Sequence, residues 1–375
     1  MSPDVAIVGA GITGCATAYE LSKFGLKVQV FEKYFPAAMA SGWTLAGIRQ
    51  SGRHRSELPL ALYSIKKWQT LSDELDYDIA FTQNGNLRLA RDLIEEAMIE
   101  ELVQEQKLDG LDIIHLSNNK EIKEIAPLIS DDIHSASFCA TDGHADPIAT
   151  VNAYKLAAER NNCTFCLGET VEKLKIEKGR LMGLETSKRT VNVNICLLTG
   201  GVLTNNLLAD TGTYIPFSTP IVSVIQTEPM KEKLHQVIGV GNGNLSLRQE
   251  KNGTFRISSG AQKGDYRLIE KNRKPQALPS LKNIHSTLGL VFNILPILKT
   301  SLIKNYWGGI LDLTPDGLPV LDRVSEVEGL VVGAGFSGHG FGTAPANSHI
   351  LSNIVLGVNS KIPFGPFSLE RLKAT

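Results

Sequence analysis

The chain opens with a pattern of apolar and polar positions that predicts a strand, a helix and a second strand. Residues 5–8 form a short apolar run, as in a strand buried on both faces. Small and apolar residues at helical spacing follow over 15–21, and Gly25 stands where a left-handed residue ends a helix. Residues 27–32 return to a strand pattern, so we predict a β-α-β unit at the start of the chain.

A glycine-rich turn, Gly9-Ala10-Gly11-Ile12-Thr13-Gly14, joins the first strand to the helix. In such a turn Gly9 allows a tight bend, Gly11 lets a pyrophosphate approach the backbone, and Gly14 lets the helix pack closely on the strand. The helix N-terminus offers unpaired N–H groups to the phosphates. Glu32 closes the second strand, where a carboxylate can accept hydrogen bonds from a ribose. This order of elements predicts dinucleotide binding; the alternative is a glycine-rich turn that only packs.

Two later strand patterns also end in glycines. Residues 192–198 lead into Thr199-Gly200-Gly201, where we expect a second close approach of backbone to the cofactor. Residues 329–335 lead into a second glycine loop, residues 336–342, and a predicted helix over 343–356. This loop would aim N–H donors at a delocalised anion such as a reduced flavin. His339 in the loop either adds positive charge there or is hydrogen-bonded within a tight turn.

The middle of the chain has a different pattern. Apolar residues at helical spacing predict a helix over 58–75, and Asn84-Gly85 predicts a β-hairpin over 81–89. Between 214 and 292, short strand-like segments alternate with turns, as in an antiparallel sheet that forms a separate layer. We interpret this layer as a substrate domain that interrupts the nucleotide-binding fold.

Composition narrows the class of protein. The 375 residues carry a formal net charge of -1, so neither nucleic acid nor an anionic membrane is an expected partner, and a small molecule is. The longest apolar stretch, 288–298, is too short to span a bilayer, and no signal peptide is expected before the first strand. We therefore expect a cytoplasmic protein, or one peripheral to a membrane through a partner complex. The five cysteines predict neither a disulfide framework nor a metal site.

A basic segment, residues 43–55, follows the second strand and combines Gly47 with Arg49, Gln50, Arg53, His54 and Arg55. Such a run is commonly a solvated loop. Placed directly after a nucleotide-binding unit, it can instead line the cavity where the cofactor's reactive end meets the substrate. The residues leave both interpretations open.

Four motifs, in this order along the chain, carry a resemblance to a known family: VAIVGAGITG, LLTGG, WGGILDLTPDGLPVL and GAGFSGHGFG. Together they resemble the FAD-dependent D-amino-acid oxidase superfamily. Within it, the chain is most similar to the branch of sarcosine oxidase beta subunit, glycine oxidase, hydrogen cyanide synthase flavin subunit and D-hydroxyproline dehydrogenase. The resemblance spans nearly the whole chain.

The resemblance implies an α/β fold with FAD as the cofactor. A Rossmann-type, glutathione-reductase-like FAD-binding domain would comprise residues 1–80, 145–213 and 325–375. A substrate domain with a mixed, largely antiparallel sheet would comprise residues 81–144 and 214–324. The implied reaction is oxidation of the C–N bond of a small amino acid by hydride transfer to flavin N5. The amino acid would be of the glycine, sarcosine, proline, hydroxyproline or D-amino acid class.

The resemblance also implies which residues contact the cofactor. They comprise the two glycine loops, the end of the second strand, the segment after it and the Thr-Gly-Gly turn: Gly9, Ala10, Gly11, Ile12, Thr13, Gly14, Glu32, Lys33, Ser41, Gly42, Thr44, Leu45, Ala46, Gly47, Ile48, Val171, Thr199, Gly200, Gly201, Gly335, Gly338, His339, Gly340, Phe341 and Gly342. The candidate catalytic residues are Arg49, His54, His339 and Trp307. His54, His144 and His339 are alternative points for covalent flavin attachment.

One position departs from the family pattern. Glycine oxidase-like relatives clamp the substrate carboxylate with an arginine at the position that is Leu311 here. A planar guanidinium grips a carboxylate at two points, so its loss is not neutral. We hypothesise that Arg49, with His54 or Lys304, supplies the charge instead. Leu311 and the basic segment also favour a flavin subunit of a multi-subunit dehydrogenase, which predicts an electron-accepting partner subunit.

Other functions remain open from the sequence. The same superfamily oxidises C–OH bonds, so a 2-hydroxy acid or glycerol-phosphate-type dehydrogenase is an alternative. A subunit that holds FAD without a substrate of its own is a second alternative. A nicotinamide dehydrogenase is disfavoured, because it has no use for the second glycine loop.

Overall fold

The computed structural model of this chain describes residues 2–263, 267–272 and 274–373. The strands in these ranges are β1 (Val5–Val8), β2 (Val28–Glu32), β3 (Gly47–Ile48), β4 (Asn86–Ala90), β5 (Ile114–Leu116), β6 (Ser135–Cys139), β7 (Gly143–His144), β8 (Thr164–Leu167), β9 (Val171–Glu177), β10 (Arg180–Thr186), β11 (Thr190–Asn192), β12 (Cys196–Leu198), β13 (Ile221–Thr227), β14 (Val237–Val240), β15 (Leu245–Gln249), β16 (Phe255–Ser259), β17 (Arg267–Lys271), β18 (Lys274–Leu278), β19 (Ile303–Ile310), β20 (Val320–Arg323) and β21 (Leu330–Ala334). The α-helices are α1 (Ile12–Ser22), α2 (Ala40–Trp43), α3 (Leu58–Trp68), α4 (Leu71–Leu75), α5 (Leu93–Leu108), α6 (Asn119–Ile125), α7 (Pro147–Arg160), α8 (Thr204–Leu208), α9 (Leu281–Ile294) and α10 (Ala344–Leu356). Short 3₁₀ turns occur at Gly201–Leu203, Ala209–Thr211, Pro296–Thr300, Gly365–Phe367 and Glu370–Leu372.

The β-α-β unit predicted at the N-terminus is confirmed. β1 runs parallel to β2, with α1 between them in the chain. Gly25 has a φ of +73°, so the chain leaves α1 through a left-handed residue, where a side chain would be strained. Glu32 is the last residue of β2. The local pattern was sufficient here because each signal acts within a few residues.

A six-stranded sheet is built around this unit in the order β20-β21-β12-β1-β2-β8. Its pairs are parallel except β20 with β21. Side chains alternate between two buried faces: Ile7 packs in a core with helices α1, α7 and α10, whereas Ala6 packs in a second core with β9–β11. Burial on both faces explains why these strands are continuous apolar runs.

A ten-stranded sheet forms the second layer, in the order β17-β18-β19-β13-β16-β15-β14-β4-β6-β5. It is antiparallel apart from the pair of β14 and β4, and α9 packs against β13, β15 and β16. The mixed, largely antiparallel sheet is therefore confirmed. The predicted hairpin at residues 81–89 is wrong: β4 pairs with β6 and β14, so its hydrogen bonds go to distant segments.

The two sheets draw on different parts of the chain. Strands of the ten-stranded sheet come only from the segments that the sequence assigns to the substrate domain. β20 belongs to the six-stranded sheet although the predicted boundary places residues 320–323 in the substrate domain. The boundaries themselves stay a prediction. Across the described ranges, no helix has the length and apolar character needed to cross a membrane.

Candidate functional site

A cavity of about 840 Å³ is lined by residues of both large sheets. Val8 and Leu198 contribute from the six-stranded sheet, and Val222 and Val224 from the ten-stranded sheet. Small-molecule pockets are typically about 300–1,000 Å³, so this cavity is large enough for an extended ligand. The carboxyl ends of β1 and β12 open into it, which is where ligands bind in α/β sheets.

The first glycine loop has no room for side chains. A Cβ on Gly9 would lie 2.5 Å from the carbonyl oxygen of Thr199, and Gly9 has a φ of +105°. A Cβ on Gly14 would lie 2.0 Å from the carbonyl oxygen of Gly9. The Thr199 hydroxyl donates to the carbonyl oxygens of Val8 and Gly9 at 3.0 and 3.2 Å, which ties the Thr-Gly-Gly turn to this loop. The loop is therefore a backbone cradle at the N-terminus of α1.

Two side chains complete this end of the cavity. The Ser41 hydroxyl accepts a hydrogen bond from the Ile12 N–H at 2.9 Å, one of the free amides at the start of α1. The Glu32 carboxylate accepts from the N–H groups of Ala10 and Tyr34, each at 2.7 Å. Burial raises the pKa of Glu32, although these two backbone hydrogen bonds oppose that shift. Glu32 thus holds the glycine loop in place and still borders the cavity.

Most of the predicted cofactor residues line the cavity. Those that do are Gly9, Gly11, Ile12, Thr13, Glu32, Lys33, Ser41, Thr44, Leu45, Gly47, Val171, Thr199, Gly200, Gly201, Gly338, His339, Gly340 and Phe341. Those that lie behind the lining are Ala10, Gly14, Gly42, Ala46, Ile48, Gly335 and Gly342. The second set allows close packing; for example, a Cβ on Gly42 would lie 2.2 Å from the carbonyl oxygen of Ala37. The cradle and the cavity together fit a dinucleotide.

The second glycine loop is held by a buried carboxylate. Asp312 lines the cavity and accepts a hydrogen bond from the Gly335 N–H at 2.8 Å, while its own carbonyl accepts from the Ser337 N–H at 3.2 Å. Burial raises the pKa of Asp312 to about 6. Ser337 has a φ of +53°, and its hydroxyl accepts from the Thr314 N–H at 3.2 Å. The loop conformation therefore depends on the segment that follows β19.

The second glycine loop packs directly on the start of the basic segment. A Cβ on Gly342 would lie 3.0 Å from the carbonyl oxygen of Gly47 and 3.7 Å from the backbone nitrogen of Arg49. The Gly342 carbonyl accepts a hydrogen bond from the Trp68 indole N–H at 2.8 Å. These contacts place Arg49 beside the loop that is expected to face the flavin.

The backbone before Arg49 is fixed by arginines of the ten-stranded sheet. Arg256 donates to the Thr44 carbonyl at 2.7 Å, and Arg248 donates to the Leu45 carbonyl. The Trp307 indole N–H donates to the Trp43 carbonyl at 3.0 Å, and the Arg256 guanidinium lies 5.2 Å from the centre of its ring. Trp307 thus supports the cofactor segment from behind and does not line the cavity.

His339 forms a pair with a buried carboxylate. Its Nδ1–H donates to Glu57 at 2.9 Å, and Glu57 is only 1% exposed. Burial and the nearby Arg53 lower the pKa of His339 to about 4, so the imidazole is neutral near pH 7. The hydrogen bond from His339 lowers the pKa of Glu57 despite its burial. Because Nδ1 carries the proton, Nε2 is left with a free lone pair.

Three arginines, Arg49, Arg53 and Arg88, line one end of the cavity. A Cβ on Gly52 would lie 2.3 Å from a guanidinium nitrogen of Arg88 and 3.6 Å from a guanidinium nitrogen of Arg49. The two guanidiniums are therefore neighbours. Within the described ranges, no carboxylate oxygen lies within 4.0 Å of a guanidinium nitrogen of these three arginines. Burial lowers the pKa of all three guanidiniums, to about 10 for Arg53 and about 9 for Arg88.

The candidate catalytic residues divide into two groups. Arg49 and His339 line the cavity, whereas Trp307 and His54 do not, and the roles assigned to all four stay predictions. His54 is exposed, and its ring nitrogen accepts from the Ser56 N–H at 3.1 Å. Lys304 is exposed on β19, and neither it nor His54 lines the cavity. The turn of residues 54–57 points the His54 ring to solvent, so the structure does not bring it to the site.

Sequence reasoning missed Glu57, Arg88 and Asp312. Arg88 carried a usable signal, because Asn86 and Arg88 are polar positions two apart in the apolar strand β4 and so share a face. Both line the cavity. Glu57 carried no such signal in the sequence, because its partner His339 lies 282 residues away.

Comparison with known proteins identifies the family to which this chain belongs. Residues 4–354 match the sequence profile of the family described as DAO, FAD dependent oxidoreductase. Sarcosine oxidase subunit beta of Arthrobacter sp is 27% identical over 390 residues, covering 99% of this chain and 91% of that protein. Glycine oxidase of Bacillus subtilis (strain 168) is 24% identical over 368 residues, covering 94% of this chain and 93% of that protein.

Solved structures agree with the sequence relatives. L-proline dehydrogenase from P. horikoshii superposes with a TM-score of 0.91 at 26% identity, covering 100% of this chain and 98% of that one. The profile match covers the first strand–glycine–helix unit, nearly all of the second and every residue that lines the cavity. The chain therefore belongs to the FAD dependent oxidoreductase family, and its cofactor is FAD.

Proposed function

We propose that this enzyme oxidises the C–N bond of a small amino acid. The observation that carries the proposal is Arg49, a guanidinium with no carboxylate partner within 4.0 Å among the described residues, which lines the cavity beside the second glycine loop. A guanidinium can grip a substrate carboxylate at two points. The names of the relatives, sarcosine oxidase subunit beta, glycine oxidase and L-proline dehydrogenase, support this substrate class.

The chain's own residues would orient the substrate. Arg49 holds the carboxylate, and Leu311, which stands where glycine oxidase-like relatives have an arginine, contributes an apolar wall. The neutral imidazole of His339 offers Nε2 as an acceptor for a proton from the substrate ammonium, with Glu57 fixing the ring. Bound FAD supplies the two-electron acceptor at its N5 position.

We also propose that the chain is the flavin subunit of a multi-subunit dehydrogenase in the cytoplasm. The name of one relative, sarcosine oxidase subunit beta, supports a partner subunit. Size-exclusion chromatography of the protein purified from its own source would show a complex larger than this chain. Fast electron transfer to a dye with slow transfer to oxygen is expected, and the reverse would contradict a dehydrogenase role.

Anaerobic titration of the holoenzyme tests the proposed reaction. Glycine, sarcosine, D- and L-proline, hydroxyproline and D-amino acids are added in turn while the visible flavin band is recorded. Bleaching by one of these classes supports the proposal. Bleaching only by 2-hydroxy acids or glycerol 3-phosphate would contradict it, and a flavin that no compound bleaches would indicate a carrier.

Arg49→Met tests the carboxylate anchor. We expect the concentration of amino acid that half-saturates flavin reduction to rise about a hundredfold, because a charge-assisted bidentate contact is lost. Arg55→Met is the matched control, since its side chain is 81% exposed in the same segment and pairs with Asp109. Equal affinities of Arg49→Met and the unmodified enzyme would remove the basis for this anchor.

A further inference from the structure

The arginine cluster holds more positive charge than one substrate carboxylate requires. Arg53 is only 6% exposed, and its Nε donates to the Arg49 carbonyl at 3.2 Å, but its buried Nη1 has no hydrogen-bond partner among the described residues. The same residues offer no partner to the buried Nε of Arg88. Burial and the neighbouring guanidiniums lower the pKa of Arg53 and Arg88, so an anionic group bound at this end of the cavity would stabilise the cluster.

The carboxylates that face the cluster are already engaged. Asp142 accepts from the Gln50 N–H at 2.6 Å and from the Ser51 N–H at 3.3 Å, and it also accepts from the Ser51 hydroxyl. Glu57 accepts from His339. Both carboxylates act on the arginines only through space, because neither lies within 4.0 Å of a guanidinium nitrogen.

The charges indicate what kind of ligand would balance the site. Three guanidiniums oppose the two carboxylates Asp142 and Glu57, and His339 is neutral, so one positive charge remains. An amino acid with one carboxylate and an ammonium group has no net charge and leaves this excess. An amino acid with two carboxylates has one net negative charge and balances it.

We propose that the substrate of this enzyme is an amino acid with a second carboxylate, held by Arg53 and Arg88 while Arg49 holds the first. This inference rests on the proposed function and specifies its substrate class. The second carboxylate would balance the positive charge of the Arg53 and Arg88 guanidiniums, since both residues line the cavity. Asn86 also lines the cavity, on the same face of β4 as Arg88.

Ligand binding to the holoenzyme tests the second subsite without turnover. Glutarate and its monoamide, glutaramate, are compared by their perturbation of the flavin spectrum; the two differ only in one carboxylate. We expect glutarate to bind at least about tenfold more tightly, because charge-assisted hydrogen bonds exceed neutral ones. Equal affinities would overturn the inference.

Substitutions then test whether Arg88 and Arg53 cause the preference for glutarate over glutaramate. Arg88→Met is expected to reduce the glutarate-to-glutaramate affinity ratio to near one, and Arg53→Met serves if Arg88→Met does not fold. Arg55→Met, outside the cavity, is expected to keep the ratio of the unmodified enzyme. Equal weakening of both ligands by Arg88→Met would show that the arginine has no preference for a second carboxylate, and would overturn the inference.

Flavin reduction separates this inference from the proposed function. Iminodiacetate and both enantiomers of glutamate are compared with sarcosine and both enantiomers of glutamine. Preferential bleaching by dicarboxylic amino acids supports both ideas. Bleaching that is as efficient with sarcosine and glutamine overturns the inference and leaves the proposed function intact. Selective glutarate binding with no bleaching by any amino acid overturns the proposed function, and with it the assignment of an amino acid to this subsite.

Discussion

The two strand–glycine–helix units of this protein have the same local form and different surroundings. In the first, β1 leads through Gly9 to α1, and the crowding is between backbone atoms. In the second, β21 leads to α10 through a loop that carries His339 and is tied to Asp312. We hypothesise that the first loop, a backbone cradle held by Glu32 and Ser41, holds the unreactive part of the cofactor, and that the second loop, which carries His339, faces the reaction. Four predictions test this contrast, from the largest expected effect to the smallest.

Gly14→Ala is expected to have the largest effect. Its Cβ would lie 2.0 Å from the Gly9 carbonyl oxygen, and backbone at this crowded site cannot move away easily. We expect a loss of about 3 kcal/mol or more in the free energy of unfolding, together with loss of FAD. Denaturant titration and the flavin content of the purified protein are the measurements.

Gly289→Ala is the control for that substitution. Gly289 is also a helical glycine, but a Cβ there would meet nothing within 4 Å. We expect it to stabilise the protein by about 0.5–1 kcal/mol, because alanine loses less backbone entropy on folding. Similar effects of the two substitutions would show that crowding in the first loop is unimportant.

Asp312→Asn should change how stability depends on pH. The folded pKa of Asp312 is about 6 and the ordinary value is 3.8, so the folded state holds the proton more tightly. Stability from this group is therefore present at low pH and is lost as pH rises from about 4 to about 6. Over that window the variant should gain about 3 kcal/mol relative to the unmodified protein, measured by urea unfolding at several pH values.

Asp316→Asn is the control, and its stability should change with pH in the opposite direction. The Arg371 guanidinium beside Asp316 helps to hold the pKa of this carboxyl below its ordinary value. Its contribution to stability is present at neutral pH and is lost as pH falls, so the variant should lose stability toward neutral pH. If both variants followed the pH dependence of the unmodified protein, the buried carboxylate would have no special role in holding the second loop.

Glu57→Gln tests whether the second loop carries chemistry. We expect flavin reduction to slow about tenfold, since the ring of His339 loses its charged partner. Loss of the carboxylate should also lower the pKa of His339 further, which moves the acid limb of kcat/KM to lower pH. Glu169→Gln removes another buried carboxylate, outside the cavity lining, and should leave the rate unchanged. An unchanged rate and pH profile for Glu57→Gln would contradict the role of the pair.

Ser41→Ala should have the smallest effect. The Ile12 N–H would lose its acceptor at the start of α1, which costs about 0.5–1.5 kcal/mol. FAD affinity should therefore fall by up to about tenfold, as measured by fluorescence titration of FAD. Ser286→Ala removes an exposed hydroxyl that donates only to the Lys282 carbonyl, and it should leave FAD affinity unchanged. If Ser41→Ala weakened FAD binding more than Gly14→Ala does, the expected order of these two effects would be wrong.

The sequence by itself determined the parts of the site that depend on neighbouring residues. The turn at Gly9, the helix of residues 12–22 and the carboxylate at Glu32 follow from local backbone geometry and a short apolar pattern. The second glycine loop was predictable for the same reason. These signals act within about twenty residues, so one reading of the chain suffices.

Only the tertiary structure decided which side chains meet beside the second glycine loop. The partner of His339 is Glu57, and Arg88 reaches the cavity because β4 pairs with β6 and β14 and not within a local hairpin. His54 and Arg49 look equivalent in the sequence, yet one ring faces solvent and one guanidinium lines the cavity. The physical reason is that pairing between distant strands and the burial of charge depend on the whole packed chain, whereas a glycine turn depends on its own few residues.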